Sequence, residues 1–327
     1  MANVLAGDVG GTTTRLGVFE RRSGRPALLA RRTYGTRDFA TIEAMTMAFL
    51  RDEGIPASTL SAGCYGAAGP VIDGVATLTN TPVRVDARAI ADALAVPHVW
   101  LLNDLEALAY AVPVLAGDEV CVLQEGGPNR SGAIAIIAAG TGLGEAVLYP
   151  MGDRVVAKAS EAGRTDFAAR TERDIIVLRA LTREGGRAAL EQVVSGPGLV
   201  NIHNALQRDR CEAGIDMAAP DAPSAITNSA ITRTCRTCVE TMDVFIDAYG
   251  AEAGNLVLRV VATGGLYVGG GIAPKILDLL TGGGFLAALL AKAPFTELLQ
   301  SVPVKVILNS EAGLLGAAQF CSVTSGI

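Results

Sequence analysis

Apolar and polar residues follow one another in short blocks along this 327-residue chain, and the blocks predict alternating strands and turns near its start. The apolar runs 4–6 and 16–19 enclose a polar stretch from Asp8 to Thr14 that contains two adjacent glycines. Strand-favouring residues on both sides of a glycine turn predict a strand, a tight turn and a second strand. Asp8 stands where the first of these strands ends.

The same pattern returns in the second half of the chain. An apolar run at 132–139, the turn around Gly140 and Thr141, and an apolar run at 145–149 repeat the opening order. A further strand, predicted at 265–268, ends in three consecutive glycines. The simplest explanation is an internal duplication in which each half supplies one glycine turn. Helical spacing predicts the other main elements, which are helices at 39–52, 86–94, 105–112 and 313–320 and a mostly helical stretch at 171–247.

The first glycine turn has the chemistry of a phosphate site. Gly10 and Gly11 let the backbone approach a ligand closely, and the threonines Thr12, Thr13 and Thr14 add hydroxyl donors beside the amides. The carboxylate of Asp8 is a suitable ligand for Mg²⁺, directly or through water. An ordinary glycine-rich hairpin is the competing interpretation. Rossmann and Walker loops do not fit, because both lead into a helix and this turn leads into a strand.

Composition narrows the classes of function. The net charge of −6 and the sequence pI of about 5.1 argue against nucleic acid or an anionic membrane as the main partner. No signal peptide or membrane-spanning segment is predicted, so we expect a cytoplasmic protein with reduced thiols. The pair Cys235 and Cys238 has zinc-ligand spacing, but no second close pair accompanies it. The sequence therefore favours structural packing over metal binding for these cysteines.

Six short motifs occur in order from one end of the chain to the other. Each is weak alone, but together and at compatible spacing they are specific. The chain resembles the actin-like sugar-kinase ATPases, and within them the bacterial glucokinase family, in the motifs Gly7-Asp-Val-Gly-Gly-Thr-Thr, Leu102-Asn-Asp-Leu-Glu-Ala, Gly140-Thr-Gly-Leu-Gly, Ser195-Gly-Pro-Gly-Leu-Val-Asn, Tyr267-Val-Gly-Gly-Gly-Ile-Ala-Pro and Gly313-Leu-Leu-Gly-Ala-Ala.

The resemblance implies an α/β protein with the two-domain actin-like, ribonuclease H-like ATPase fold. Each domain is expected to be a mixed sheet flanked by helices, with a cleft between the domains. The smaller domain would comprise residues 1–113 and 305–327, and the larger one residues 114–304. The family also implies a homodimer.

The resemblance further implies ATP and Mg²⁺ as ligands and a small-molecule sugar as the substrate. Asp8 would place the metal. The residues expected to hold the phosphates are Gly10, Gly11, Thr12, Thr13, Gly140 and Thr141, and those expected to flank the adenosine are Gly269 and Gly270. The sugar would contact Asn80, Asn103, Asp104, Glu161, Arg164 and Glu191.

Asp104 is the predicted catalytic base. It follows a predicted strand and begins a predicted helix, where the helix dipole favours a carboxylate. A base that accepts a hydroxyl proton during phosphoryl transfer must be ionised and close to the hydroxyl. Helix capping by Asn103 and Asp104 is the competing interpretation. Glu106 and Glu145 are interpreted as surface or supporting groups.

One position departs from the family pattern. The family has Glu-Gly-Gly-His after its sugar-binding glutamate, whereas this chain has Glu161-Ala162-Gly163-Arg164. Imidazole can donate and accept hydrogen bonds, but a guanidinium only donates and stays charged. Arg164 could therefore form an ion pair with Glu161 or Glu191. Three outcomes follow, in order of preference: weaker glucose binding, a changed sugar preference, or a protein that binds ligand but turns over poorly.

The sequence thus predicts an ATP-dependent hexose kinase, with glucose as the first choice of substrate. A kinase for another hexose remains open because of Arg164. A sugar-responsive regulator without catalysis and an acyl-phosphate kinase are the alternatives from other classes.

Overall fold

The computed structural model describes residues 3–78, 82–127, 129, 131–152, 154–207 and 211–324. Its strands are β1 (Asn3–Val9), β2 (Thr13–Glu20), β3 (Ala27–Gly35), β4 (Leu60–Ala67), β5 (Val71–Ile72), β6 (Val75–Thr77), β7 (Arg84–Asp86), β8 (Val99–Asn103), β9 (Val120–Gln124), β10 (Ile134–Ala139), β11 (Leu143–Met151), β12 (Arg154–Ser160), β13 (Gly265–Gly269) and β14 (Val304–Ile307). Its α-helices are α1 (Ile42–Asp52), α2 (Ala87–Leu94), α3 (Asp104–Ala111), α4 (Glu172–Gly185), α5 (Gly196–Leu206), α6 (Ala222–Ile231), α7 (Arg236–Val260), α8 (Leu277–Thr281), α9 (Gly284–Leu290), α10 (Thr296–Ser301) and α11 (Ala312–Thr324).

The chain divides into two compact units, and both ends of the chain belong to the first. The first unit contains 1–117, 157–159 and 309–327, and the second contains 118–156 and 160–308.

The central sheet of the first unit has the strand order β3-β2-β1-β4-β8. Strands β1, β4 and β8 are parallel, while β2 and β3 form an antiparallel meander on one side. The register pairs Val9 with Ala67 and Ala67 with Asn103, so the carboxyl ends of the parallel strands lie along one edge. A small sheet of β5, β6 and β7 extends this unit.

Helices cover the first sheet as their apolar spacing predicts. Ile42, Met45 and Phe49 lie on one face of α1 and are almost fully buried. Asp86 is the N-cap of α2, as predicted, because its carboxylate accepts hydrogen bonds from the Arg88 and Ala89 amides. Helix α11 packs closely on α3.

The main sheet of the second unit has the order β12-β11-β10-β13-β14-β9. Apart from the additional strand β9, this is the order of the first unit: a meander on one side of a central strand and parallel strands on the other. Strands β10, β13 and β14 are parallel, and β11 is antiparallel to β10. The repeated order agrees with the internal duplication inferred from the two glycine turns.

The long helix α7 runs through the core of the second unit. Tyr249 on this helix is fully buried, and its hydroxyl contacts the Ala139 amide at 3.2 Å, near the end of β10. Within the described residues, no single helix has the length and apolar composition needed to cross a bilayer; a pair bent by 79°, 273–281 with 284–290, meets those criteria only together.

A buried charge cluster excludes one of the two interpretations of Glu145, that of a surface group. Glu145 is 1% exposed and lies beside Glu252, which is also buried. Arg259 approaches both carboxylates, at 2.5 Å from Glu252 Oε1 and 3.7 Å from Glu145 Oε2. Burial, followed by repulsion from Glu252, raises the pKa of Glu145 to about 8. Glu145 is therefore an interior group and not a surface one.

Candidate functional site

The carboxyl edge of the first sheet brings together the residues predicted to bind metal and phosphate there. Asp8 lies near the end of β1, and its Oδ2 is 3.0 Å from Nη1 of Arg15. Burial raises the pKa of Asp8 above its ordinary value, and the Arg15 guanidinium opposes that shift. A Cβ built on Gly313, at the start of α11, would lie 3.5 Å from the Asp8 carboxyl carbon. The small residue at 313 therefore leaves room beside this carboxylate.

The glycine turn between β1 and β2 is closed by its own backbone. The Gly10 amide donates to the Thr13 carbonyl at 3.0 Å, and the Gly10 carbonyl accepts from the Thr36 hydroxyl at 2.7 Å. Thr12 is exposed and Thr13 is half-buried. These bonds fix the turn while the Thr12 side chain faces solvent.

Thr14 does not join this set, although the sequence grouped it with its neighbours. It is fully buried, and its hydroxyl lies 2.9 Å from the Thr36 hydroxyl. Its burial follows from strand alternation, because Thr14, Leu16 and Val18 occupy the same inward positions of β2. Only Thr12 and Thr13 can offer hydroxyl donors at the surface of the turn. Arg15 and Thr36 are the supporting residues that the sequence did not indicate.

Asn103 is built into the start of α3 as its N-cap. Its Oδ1 accepts from the Leu105 amide at 2.9 Å, and Glu106 completes a capping box by accepting from the Asn103 amide. The Nδ2 group donates to the Gly69 carbonyl at 3.1 Å. Both the β8–α3 junction and the loop after β4 are thereby held at the carboxyl edge. Glu106 is a supporting group, as predicted.

Asp104 is the first residue of α3 and is half-buried. Its Oδ1 accepts from the Leu105 amide at 2.9 Å. The carboxylate thus lies at the positive end of the helix dipole, which stabilises its ionised form. The register of β1, β4 and β8 places it along the edge that holds Asp8 and the glycine turn. Asn103, and not Asp104, is the capping residue.

The second unit has a matching edge. The Gly140 amide donates to the Gly142 carbonyl, and the Gly140 carbonyl accepts from the Gly196 amide, both at 2.8 Å. The turn after β10 is therefore tied to the N-terminus of α5. Thr141, at the tip of this turn, is exposed.

The glycines after β13 lie directly beside that turn. Ala138 on β10 pairs with Gly269 on β13, so the two strands end together. Gly270 has φ of +85°, and a Cβ there would lie 2.3 Å from the Ala139 carbonyl oxygen. Only glycine fits this position. Ligands of α/β sheets bind at the carboxyl ends of such parallel strands.

Arg164 and Glu191 meet next to the same edge. The Arg164 Nη2 atom is 3.0 Å from Glu191 Oε1, and Glu191 Oε2 accepts from the Leu143 amide at 3.1 Å. Two short 3₁₀ turns, Ala162–Arg164 and Leu190–Gln192, position the pair. The Leu190 amide donates a hydrogen bond to the Thr165 carbonyl and so links the two turns. The ion pair allowed by the sequence is therefore formed with Glu191.

Glu161 comes immediately before the first of these turns and is exposed. Its carbonyl accepts from the Arg164 amide at 2.9 Å. A Cβ on Gly163 would lie 2.1 Å from the Leu143 carbonyl oxygen, so the Ala162–Arg164 turn presses closely on β11. Asn80, the remaining predicted sugar contact, lies outside the described residues.

Comparison with known proteins gives the family that the sequence motifs indicated. The family model described as "Glucokinase" matches residues 5–324. A glucokinase from Nostoc punctiforme is 36% identical over 338 residues, which cover 97% of this chain and 98% of the relative.

Solved structures that resemble this chain include glucokinases as well. A glucokinase from an Antarctic psychrotroph superposes with a TM-score of 0.86 at 27% identity, covering 98% of this chain and 99% of that one. A ROK family glucokinase from Streptomyces griseus, in complex with glucose and AMPPNP, shares the fold at a TM-score of 0.65 and 22% identity, covering 98% and 99%. The fold is therefore the actin-like sugar-kinase fold expected from the motifs. This chain belongs to the glucokinase family.

Proposed function

We propose that this chain transfers the γ-phosphoryl group of ATP to the 6-hydroxyl of glucose, with Asp104 as the general base. The kinase activity rests on membership of the glucokinase family. The assignment of the base rests on one observation: Asp104 begins α3 at the edge where β1 ends in the Asp8 glycine turn.

Asp104 accepts the hydroxyl proton as the sugar oxygen attacks phosphorus. In phosphoryl transfer the attacking hydroxyl becomes acidic only late, as its bond to phosphorus forms, so the base needs to be ionised and correctly placed rather than strongly basic. The helix dipole and the bond from the Leu105 amide hold the carboxylate in this state. Asn103, fixed by its cap and by Gly69, orients the sugar beside the base.

Each of the two glycine turns is proposed as a phosphate-binding element for ATP. The Gly10 and Gly140 amides close their own turns, so the amides of Gly11, Thr12, Thr13 and Thr141 and the exposed Thr12 and Thr141 hydroxyls are the donors proposed for the phosphates. They suit an anion without adding net positive charge. Gly270 is exposed and packs against Ala139, so it would present backbone and no side chain to the adenosine. Because the protein is acidic overall, these local dipoles, and not a patch of Lys and Arg side chains, would attract the phosphates.

The residues at the first edge also fit Mg²⁺. Asp8 supplies a hard oxygen ligand, and the absence of a side chain at Gly313 leaves space beside its carboxyl group. Asp8 would hold the ion directly or through water, with Arg15 keeping the carboxylate oriented. When bound, the ion neutralises developing charge on the phosphate oxygens.

Glucose is the proposed sugar despite Arg164. The ion pair directs the guanidinium at Glu191, so Arg164 acts mainly by restraining that carboxylate. The other proposed sugar contacts are Asn80, Asn103, Asp104 and Glu161. Both carboxylates that the family pattern leads us to expect, Glu161 and Glu191, are present, and Arg164 changes how one of them is held. We therefore expect glucose to be phosphorylated with a raised KM rather than replaced by another hexose.

A substrate panel tests this function. Purified protein is incubated with ATP, Mg²⁺ and separately glucose, mannose, fructose, galactose, N-acetylglucosamine or acetate, and ADP release is followed by a coupled assay. The proposal predicts the highest kcat/KM on glucose. Highest turnover on another hexose would reassign the substrate, turnover on acetate would indicate an acyl-phosphate kinase, and turnover on none would favour a binding protein.

Two further properties belong to the proposal. The six cysteines are unpaired, which suits a reducing compartment such as the cytoplasm. The family resemblance implies a homodimer. Light scattering during size-exclusion chromatography would measure the molar mass, which for a dimer is twice the 33.6 kDa of one chain.

A further inference from the structure

The second unit contains a buried cluster of four potential metal ligands that no role above uses. His203 lies in the last turn of α5, Cys211 in the loop after it, Cys235 at the N-cap of α7 and Cys238 in the first turn of that helix. One ligand atom from each lies within 4.8 Å of all the others, and all four residues are buried. The cluster lies within one unit.

The spacing within the cluster matches a tetrahedral metal site. Zn²⁺ bonds to thiolate sulfur at about 2.3 Å, so two sulfurs on one tetrahedral ion lie about 3.8 Å apart. The Sγ atoms of Cys211 and Cys235 are 3.7 Å apart. That distance is nearly twice the roughly 2.05 Å of a disulfide bond, so this pair is not bonded.

His203 provides an independent indication of a ligand. The side chain is 0% exposed, and neither Nδ1 nor Nε2 has a hydrogen-bond partner among the described residues. Its chain neighbour Ile202 and the three cysteines of the cluster all belong to the apolar core of the second unit. Buried polar atoms are rarely left without a partner, because burial removes the hydrogen bonds that water supplies. A metal ion bound to one ring nitrogen would satisfy this histidine.

We propose that His203, Cys211, Cys235 and Cys238 bind one structural Zn²⁺ ion. Three sulfurs and one imidazole form a closed tetrahedral donor set of the kind that holds zinc structurally, with no open position for a substrate. On binding, three Zn–S bonds and one Zn–N bond form, and the thiol protons pass to solvent. No electron is transferred. The Cys238 amide lies 3.5 Å from the Cys235 sulfur and adds a donor to the thiolate.

Such an ion would join three segments of the second unit. It would link the end of α5 to the start of α7 and fix the loop at 211. A hydrogen bond from the Arg236 amide to the Glu212 carboxylate already ties this loop to the start of α7. The other end of α5 donates from Gly196 to the Gly140 carbonyl, beside the proposed phosphate turn. We therefore expect zinc to stabilise the unit and to influence ATP binding only indirectly.

Metal analysis of the untagged full-length protein tests the proposal. We expect about one zinc per chain by elemental mass spectrometry, a lowered melting temperature after removal by a chelator, and recovery with added Zn²⁺. Less than about 0.1 zinc per chain, with no uptake by the reduced protein and no change in melting temperature on adding Zn²⁺, would overturn it.

Variants locate the ion. Cys238→Ser and His203→Gln should each lose zinc, whereas Cys121→Ser, which changes a free cysteine on β9, should retain it. Cobalt substitution of the unmodified chain provides evidence that does not depend on variant folding. Intense visible bands of tetrahedral Co²⁺, with thiolate-to-cobalt absorption, are expected; a weak octahedral spectrum would contradict the site.

Discussion

Arg164 Nη2 lies 3.0 Å from Glu191 Oε1, and this contact places the guanidinium on a carboxylate predicted to bind sugar. Because Glu191 Oε2 also accepts from the Leu143 amide, both carboxylate oxygens already have protein partners. A sugar hydroxyl must share or displace one of them. The position that departs from the family pattern therefore acts on Glu191, a carboxylate predicted to bind sugar.

Replacing Arg164 by histidine tests this effect. Arg164→His should free Glu191 Oε1 and lower the KM for glucose by about fivefold, since one regained hydrogen bond is worth about 1 kcal/mol. The value of kcat should change little, because the base is untouched. Arg173→His, which alters the partly exposed ion pairs that Arg173 of α4 makes with Glu240 and Asp243 of α7, is the matched control. An unchanged or higher glucose KM in Arg164→His would show that Arg164 itself supplies the sugar contact.

Asn103 should separate helix capping from sugar binding. Asn103→Asp keeps an oxygen acceptor for the Leu105 amide but loses the Nδ2 donor, whereas Asn103→Ala loses both. We expect Asn103→Ala to lower the free energy of unfolding by about 1 kcal/mol, and Asn103→Asp to lower it less. Both should raise the glucose KM. If KM rises only in the alanine variant, Asn103 acts through the cap alone.

Gly270 should tolerate no side chain. Gly270→Ala combines φ of +85° with a Cβ 2.3 Å from the Ala139 carbonyl oxygen, so the turn must shift. We expect a loss of about 1–3 kcal/mol in unfolding free energy and a raised KM for ATP. Gly271→Ala is the control, because nothing lies within 4 Å of its built Cβ. Equal effects of the two substitutions would argue against a specific role for the 270 backbone.

The buried Glu145 predicts a pH dependence of stability. Its folded pKa of about 8 lies above its ordinary value of 4.5, so between these values the native state binds more protons than the unfolded state. Stability contributed by this group is therefore fully present below pH 4.5 and is lost as pH rises towards 8, by at most about 1.4 kcal/mol per pH unit. Glu252, Arg259 and Lys292 are the charged groups that accompany it.

Urea unfolding of the parent and of Glu145→Gln between pH 5 and 8 measures the pH-dependent contribution of Glu145 to the free energy of unfolding. The glutamine variant should show a flatter dependence on pH, because its neutral amide does not titrate. Glu240→Gln, which changes a carboxylate in a partly exposed pair with Arg236, should leave the dependence as it is in the parent. Parallel curves for the parent and Glu145→Gln would contradict the raised pKa.

Local sequence signals predicted the parts of the molecule that local chemistry determines. The glycine turns at 10–13 and 140–142, the Asp86 cap and the strand that ends at Asn103 all form as their residue types indicate. Strand alternation would also have placed Thr14 in the core, since it shares the inward side of β2 with Leu16.

Tertiary placement could not be inferred in the same way. Glu145 is buried because helices cover its sheet, and a charged residue in a strand gives no signal of that. The cluster of four potential metal ligands gives no local sequence signal, because Cys211 and Cys235 are 24 residues apart and His203 lies on another helix. Only the folded chain shows that the pair Cys235 and Cys238 has two further partners.

The role of Asp104 is tested most directly by the kcat of Asp104→Asn, a variant of almost the same shape that cannot accept the proton. We predict that kcat falls by about 10²–10⁴-fold while the KM values for glucose and ATP change little. Glu106→Gln, which alters the neighbouring capping carboxylate, should keep kcat within about threefold of the parent. A kcat for Asp104→Asn equal to that of the parent would contradict the assignment of Asp104 as the base.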